Sequence, residues 1–203
     1  MRYLSVFLLA LLCVASAIAS PVAIFSTGVD GSGNVLAAGS ADPHWTVNGT
    51  TASVVTSPTS HGWVANPSDA RWISLGSGGT PGIGSYTYTT TFDLTGFHTT
   101  GVFITANLAA DDGAVVFLNG VQVFDDSSNG LNSPWTARVP LTINSGFVQG
   151  VNTLSLSVYN VGGPGGLLFD VTGSNAIPGP EPGTASMLLI AGLAGLAAIR
   201  RRR

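Results

Sequence analysis

Short runs in which large apolar side chains alternate with Ser or Thr are the feature that most constrains this chain. In Tyr86–Phe92, aromatic and threonine side chains alternate, which predicts a strand with one buried face. The same reasoning predicts strands over Val102–Leu108, Leu154–Tyr159 and Leu167–Val171. No long window has the 3.6-residue period of a helix. The chain is therefore predicted to be all-β.

A two-residue turn is predicted at Asn119-Gly120. The pair lies between the apolar runs Ala114–Leu118 and Val121–Phe124, and both residues tolerate the positive φ angles of a type I′ hairpin. Ten or so short strands around one core predict a β-sandwich.

The middle of the chain resembles the galactose-binding-like jelly rolls. Residues 109–120 combine Asp111-Asp112, a hydrophobic strand and Asn119-Gly120, and residues 150–154 and 158–160 are similar to a later strand of that family. The resemblance covers about residues 85 to 173. It implies a jelly-roll-like β-sandwich over residues 20–174, of the kind found in carbohydrate-binding modules and accessory domains of glycosidases.

The amino-terminal segment predicts export. Arg2 precedes an apolar stretch, Leu4–Ala15, and the small residues Ala17 and Ala19 form a signal-peptidase pattern. Residues 1–19 are therefore predicted to be a cleaved signal peptide. Cys13, the single cysteine, lies inside it, so the mature domain is predicted to have neither thiol chemistry nor a disulfide.

The carboxy-terminal segment has three predicted parts. Residues 175–182 are predicted to form an extended linker, because prolines remove amide donors and glycines add backbone freedom. Residues 183–199 are uncharged and long enough for a short transmembrane helix. The basic cluster at residues 200–203 is placed in the cytoplasm by the positive-inside rule. Its members are Arg200, Arg201, Arg202 and Arg203.

This three-part order resembles the PEP-CTERM sorting signal of Gram-negative bacteria over residues 178 to 203. The motif residues are Pro180, Glu181, Pro182, Gly183 and Thr184. The resemblance implies that an exosortase, an integral membrane enzyme, processes the chain near the motif. It also implies a transient anchor in the inner membrane, followed by a location at the cell surface or outside the cell. A permanent membrane anchor is the alternative.

The charge of the exported segment excludes nucleic acid as a partner. Between Pro21 and Pro180 the only cationic residues are Arg71 and Arg138, and the same segment contains nine aspartates. Its net charge is therefore -7. Phosphate binding needs clustered Lys and Arg. Calcium prefers oxygen ligands, so the aspartates allow a structural calcium ion, for which no site is assigned. No other cofactor is predicted.

Several side chains are candidates for ligand binding. Trp72 is predicted to be buried, whereas Trp63 and Trp135 lie beside Gly and Pro in predicted loops, where an indole can stack on a sugar ring. Trp135 is the first choice. Asp111 and Asp112 can accept hydroxyl hydrogen bonds or bind calcium, although a solvated turn explains them too, and Asn119 completes the set.

Metal and catalytic motifs are not evident. Asp125–Gly130 has many oxygen atoms but lacks the spacing of a calcium helix-loop-helix. The three histidines, His44, His61 and His98, are isolated from one another in the sequence, so a zinc site is not predicted. No nucleophile-elbow motif stands in a strand-turn-helix context.

Three functions therefore follow, in order. The first is a non-catalytic surface or matrix protein, sorted through the exosortase pathway and associated with extracellular polysaccharide. The alternative is a carbohydrate-binding module that recognises a glycan through loop aromatics. The third is a secreted hydrolase, for which the nine aspartates offer no identifiable carboxylate pair.

Overall fold

The computed structural model describes residues 19–126 and 135–179. These residues form ten β-strands and one 3₁₀ turn, Pro58–His61. The first five strands are β1 (Ala41–Val47), β2 (Thr50–Val54), β3 (Ile73–Ser74), β4 (Gly84–Asp93) and β5 (Phe97–Asp111). The others are β6 (Ala114–Leu118), β7 (Val121–Asp125), β8 (Val139–Ile143), β9 (Val151–Asn160) and β10 (Gly166–Pro178).

The strands pair antiparallel in the order β7-β6-β9-β4-β1-β2-β3-β10-β5-β8. The sheet folds over on itself, because inward side chains of β4 and β9 share one hydrophobic cluster with those of β5 and β10. Strand β5 also contacts β9 across this core. The predicted all-β sandwich is therefore confirmed.

Alternating burial explains why these segments are strands. In β9, Leu154, Leu156 and Val158 are buried while the serines between them are partly exposed. In β4, Tyr86 and Tyr88 are buried in the same way. Complete burial of a large apolar side chain contributes about 1.5 to 3 kcal/mol, so the period of two fixes which face of each strand turns inward.

The predicted hairpin at Asn119-Gly120 is confirmed. Asn119 has φ 51° and Gly120 has φ 80°, the signs that a type I′ turn requires. Leu118 pairs with Val121 on either side of the turn.

Both ends of the described chain leave the sandwich at the same end. Ser20 and Ala176 exchange two backbone hydrogen bonds of 2.8 Å, and Pro178 pairs with Phe97. We call this the terminal end; it includes the turn between β4 and β5. The opposite end, where Gly166 pairs with Asp111, is called the loop end.

The predicted start of the linker at residue 175 is wrong by four residues. Strand β10 continues to Pro178, and Ala176 is fully buried. The sequence Asn175-Ala176-Ile177 retains its amide donors, so β10 keeps pairing with β5 until the first proline of the linker ends it. The domain therefore extends past the predicted boundary at 174.

The predicted terminal signals lie outside the described residues, apart from Ala19 and the start of the linker. This applies to the cleavage-site residue Ala17, the sorting motif, the helix at 183–199 and the arginine cluster. Within residues 19–126 and 135–179, no helix is both long and apolar enough to cross a membrane. Most of the acidic loop predicted over Asp125–Gly130 is also outside the described part.

Candidate functional site

A second hydrophobic cluster lies on the outer face of β5 and β10. Ala109 and Leu168 belong to it, whereas their neighbours Leu108 and Phe169 point into the main core. The other members come from the segment between β2 and β3, and we call the whole set the tryptophan cluster. Its buried members are Val55, Trp63, Ala70, Trp72, Ala109 and Leu168.

Two indoles stack at the centre of the tryptophan cluster. The rings of Trp63 and Trp72 are 4.3 Å apart with an interplanar angle of 29°. Trp72 Nε1 donates to the carbonyl oxygen of Val64 at 2.9 Å. Trp72 is buried, as its position before a predicted strand indicated.

Trp63 lies in a loop, as predicted, but it is buried, which corrects the prediction that it could bind a ligand. It is only 3% exposed, and its Nε1 donates to Asp111 Oδ2 at 2.7 Å. The indole fits because residue 166 is glycine: a Cβ there would come within 2.7 Å of the Trp63 ring. Trp63 therefore has no free face on which a sugar ring could stack.

Asp111 is held in the same buried position. It is 5% exposed, and this burial raises the pKa of its carboxyl to about 7, against the opposing effect of the Trp63 hydrogen bond. The neighbouring carboxyl of Asp112 raises the pKa further. Asp112 itself points elsewhere, because its Oδ2 accepts the amide of Val161 at 2.7 Å. Both aspartates thus stabilise the loop end.

Asn119 is separated from the other candidates. Its Nδ2 donates to Gly146 O and to Asn152 Oδ1, each at 2.9 Å, and its Oδ1 accepts the amide of Thr153 at 2.9 Å. These contacts lie at the terminal end, beside the hairpin. Asn119 holds the hairpin against β9 and does not join Asp111 or Trp63.

Trp135 differs from the other two tryptophans of this region because it is only partly buried. It packs against the tryptophan cluster, and its carbonyl oxygen accepts the amide of Val64 at 2.7 Å. A rigid base of stacked indoles therefore supports a partly exposed one.

A polar group lies next to the tryptophan cluster on the same outer face. Asn107 and Asp170 pair across β5 and β10, two residues along from Ala109 and Leu168. Asp170 Oδ2 accepts Arg138 Nη1 at 3.0 Å and Asn107 Nδ2 at 3.5 Å. The side chain of Asp170 is 4% exposed and that of Arg138 is 35% exposed. The buried carboxylate thus orients two donors at the surface.

The pKa of Asp170 is raised. Burial is the main cause, and the negative charge of Asp69 adds to it, while Asn107 and Arg138 act in the opposite direction. Asp170 Oδ1 is buried and has no hydrogen-bond partner among the residues that the structure describes. Asp170 is therefore a positioning group rather than an exposed acceptor.

We call the surface formed by Trp135, Asn107, Arg138 and Asp170 the indole–guanidinium face. An indole offers an apolar platform, and guanidinium and amide groups offer directional donors to hydroxyl and ring oxygens. Sequence reasoning found Trp135 but missed the other three. Their signal was weak: Arg138 is one of two cations in the exported segment, yet its partner is distant in sequence.

The histidines do not gather into a site. His44 stacks on Phe25 at 3.7 Å, and His61 Nε2 lies 3.0 Å from Gly78 O. His98 lines a separate cleft of about 370 Å³ at the terminal end, together with Phe97 and Phe147. Within residues 19–126 and 135–179, no three His, Cys, Asp or Glu side chains are arranged to hold a metal ion.

Comparison with known proteins yields structural neighbours only. No protein-family model matches the chain, and no curated protein matches it significantly. The CBM35 from Paenibacillus barcinonensis is similar with a TM-score of 0.36 and 17% identity, covering 64% of this chain and 93% of that chain. A family 35 carbohydrate binding module from an environmental isolate has a TM-score of 0.34 and 16% identity, covering 59% and 85%.

The CBM35 from Cellvibrio japonicus Abf62 has a TM-score of 0.30 and 16% identity, covering 81% of this chain and 94% of that chain. These three neighbours are carbohydrate-binding modules, and parts of a beta-glucosidase and of a GH31 alpha-xylosidase are similar at TM-scores of 0.30 and 0.26. Similarity at this level does not assign a function to this chain, which has to be argued from its own side chains.

Proposed function

We propose that the folded domain is a non-catalytic carbohydrate-binding module that recognises a glycan through the indole–guanidinium face. One observation carries this proposal: a partly exposed indole, Trp135, is braced by buried indoles beside the oriented donors of Arg138 and Asn107. A sugar presents apolar C–H faces and polar hydroxyls side by side, which this combination complements.

The rigidity of the face supports binding. Trp135 loses little conformational freedom when a ligand docks, because the tryptophan cluster and the bond between its carbonyl and Val64 already hold it. Arg138 and Asn107 are likewise held by the buried carboxylate of Asp170. A prearranged face of this kind needs little reorganisation to bind a sugar.

The contacts of three carboxyl groups near the loop end and the indole–guanidinium face argue against a hydrolase at this surface. Glycoside hydrolysis needs two carboxyl groups that both reach the scissile bond. Asp111 is buried against Trp63, and Asp170 is buried against Arg138. Asp112 is occupied by the backbone of Val161. These three carboxylates have structural partners, so we propose binding without catalysis.

Trp135→Ala tests the carbohydrate-binding function. We expect at least about a tenfold loss of affinity for the retained glycan, as for other interface tryptophans, measured by affinity electrophoresis against a polysaccharide panel. Tyr159→Ala is the matched control, because Tyr159 is an aromatic side chain that is 53% exposed on β9, in the opposite layer of the folded sheet. Equal retention of both variants, each with an unchanged circular dichroism spectrum, would contradict the proposal.

We also propose that the domain reaches its glycan by export and sorting through its two terminal signals. The sequence motifs support this route: a leader ending at Ala19 and a Pro180-Glu181-Pro182 tail followed by an apolar segment and four arginines. Replacing the three motif residues by alanine should leave full-length protein in the inner membrane. Mass spectrometry of the secreted wild-type protein should find both signals removed, and unchanged processing of the variant would argue against an exosortase.

A structural calcium ion remains a separate proposal. The excess of aspartate in the exported segment and the preference of calcium for oxygen ligands support it. Thermal unfolding of the purified protein with EDTA and with added calcium provides the test. A raised midpoint in calcium supports a bound ion, and coincident transitions oppose it.

A further inference from the structure

Positive charge is scarce in the exported segment. Between Pro21 and Pro180 the chain has no lysine, and Arg71 and Arg138 are its only cations beside nine aspartates. This count includes the residues between 126 and 135. What these two guanidinium groups contact therefore decides whether the domain can attract an anionic ligand.

Arg71 is occupied by the backbone of its own loop. Its Nη1 donates to Pro67 O at 2.7 Å and to Ala70 O at 2.8 Å. These bonds fix the segment that carries Trp72, whose backbone amide in turn donates to Asn66 Oδ1 at 2.9 Å. Arg71 therefore acts as a structural group of the tryptophan cluster.

The charge of Arg138 is compensated at the indole–guanidinium face. Asp170 accepts its Nη1 at 3.0 Å, and Asp69 is close enough for its negative charge to act on Asp170. The one guanidinium of this face is thus paired with a carboxylate, and a second carboxylate acts on that pair through Asp170. The remaining N–H groups of Arg138 can still donate to hydroxyl or ring oxygens, which need no net positive field.

We propose that the indole–guanidinium face selects neutral glycans and discriminates against uronic, sulfated or phosphorylated ones. The proposal rests on the carbohydrate-binding function and names its ligand class. A glycan carboxylate has no uncompensated cation to pair with, and it meets a surface whose net charge has the same sign. Uncharged, hydroxyl-rich sugars are not subject to this electrostatic repulsion.

The expected discrimination follows from Coulomb's law. One ligand carboxylate about 8 Å from one excess protein charge is disfavoured roughly two- to thirtyfold, for effective dielectric constants between about 80 and 20. Salt screens this repulsion, because the Debye length falls to about 3 Å at 1 M. Binding of a neutral glycan should change little with salt.

The test uses mannan, galactan and glucan, each before and after oxidation of its C6 hydroxyls to carboxylates. Affinity is measured on the full exported protein at low and high salt, with EDTA and with calcium. We expect at least one neutral polymer to bind and its oxidised form to bind at least about twofold more weakly at low salt. Asp69→Asn should reduce the ratio of the affinity for the neutral polymer to that for its oxidised form by about twofold or more. Its affinity for the neutral polymer should be unchanged.

Asp93→Asn is the matched control, because it removes the same charge from an exposed turn at the terminal end, away from the face. It should leave the ratio unchanged. Equal or tighter binding of an oxidised polymer, with EDTA or with calcium, would overturn the proposed selectivity while carbohydrate binding stands. Binding to none of the polymers would overturn both.

Discussion

Asp111 gives the domain a pH dependence opposite to that of an ion-paired carboxylate. Burial raises its pKa in the folded state to about 7, from an ordinary value of 3.8. Between these values the folded protein holds a proton that the unfolded chain releases, so the free energy of unfolding falls as pH rises. One pKa unit corresponds to about 1.36 kcal/mol. The pKa shift of Asp111 therefore changes the free energy of unfolding by at most about 4 kcal/mol, and roughly 2 to 3 kcal/mol of this stability is lost between about pH 5 and 8.

Asp111→Asn isolates this contribution, because the amide oxygen can still accept the Trp63 hydrogen bond and does not titrate. Urea unfolding followed by far-ultraviolet circular dichroism gives the free energy of unfolding at each pH. Between about pH 5 and 8, the free energy of unfolding of the wild-type protein should fall by roughly 2 to 3 kcal/mol more than that of the variant. His61, whose ring contacts Trp63, is present in both proteins, so it does not by itself produce a difference between their profiles.

The charge-matched control is again Asp93→Asn. Hydrogen bonds from Thr95 hold the pKa of Asp93 below its ordinary value, so this residue does not titrate between pH 5 and 8. Its variant should follow the wild-type pH profile. Parallel profiles for wild type and Asp111→Asn would refute a buried, protonated Asp111 at the loop end.

Three further substitutions test the packing that supports the site. Gly166→Ala places a Cβ 2.7 Å from the Trp63 ring and 3.0 Å from Ile73 O; it should destabilise the fold by about 1 to 3 kcal/mol and alter the near-ultraviolet circular dichroism of the indoles. Gly120→Ala meets no atom within 4 Å but keeps φ at 80°, so thermal unfolding should show a smaller loss, about 1 kcal/mol. Trp72→Ala empties the cluster centre and should cost about 3 to 5 kcal/mol in urea unfolding.

The sequence predicted those strands whose pattern is local. Alternation in Tyr86–Phe92 and the positive-φ pair Asn119-Gly120 depend on neighbours in the chain, and both predictions are confirmed. The loop end of β5 could not be read in this way, because Ala109 and Ala110 are both buried. One faces the tryptophan cluster and the other the main core, so the period of two disappears where both faces are covered.

The candidate site was predictable only in part for the same reason. Trp63 and Trp135 both follow a turn-forming residue in the sequence, yet Trp63 is buried by contacts with Asp111 and Gly166, far along the chain. Arg138 gains its role only from Asp170, on another strand. Such pairs arise from the register between β5, β8 and β10, which no local pattern specifies.

The two ends of the sandwich separate attachment from recognition. Both ends of the described chain leave at the terminal end, where Ser20 pairs with Ala176. From Asp170 to Pro178, strand β10 extends about 26 Å at roughly 3.3 Å per residue, so the indole–guanidinium face lies well away from the point where the tail begins. If the terminal signals hold the precursor at the membrane, they hold it by the terminal end. Processing would then change how the domain is attached without changing the side chains that meet the glycan, and membrane-held and released protein should bind it with the same affinity.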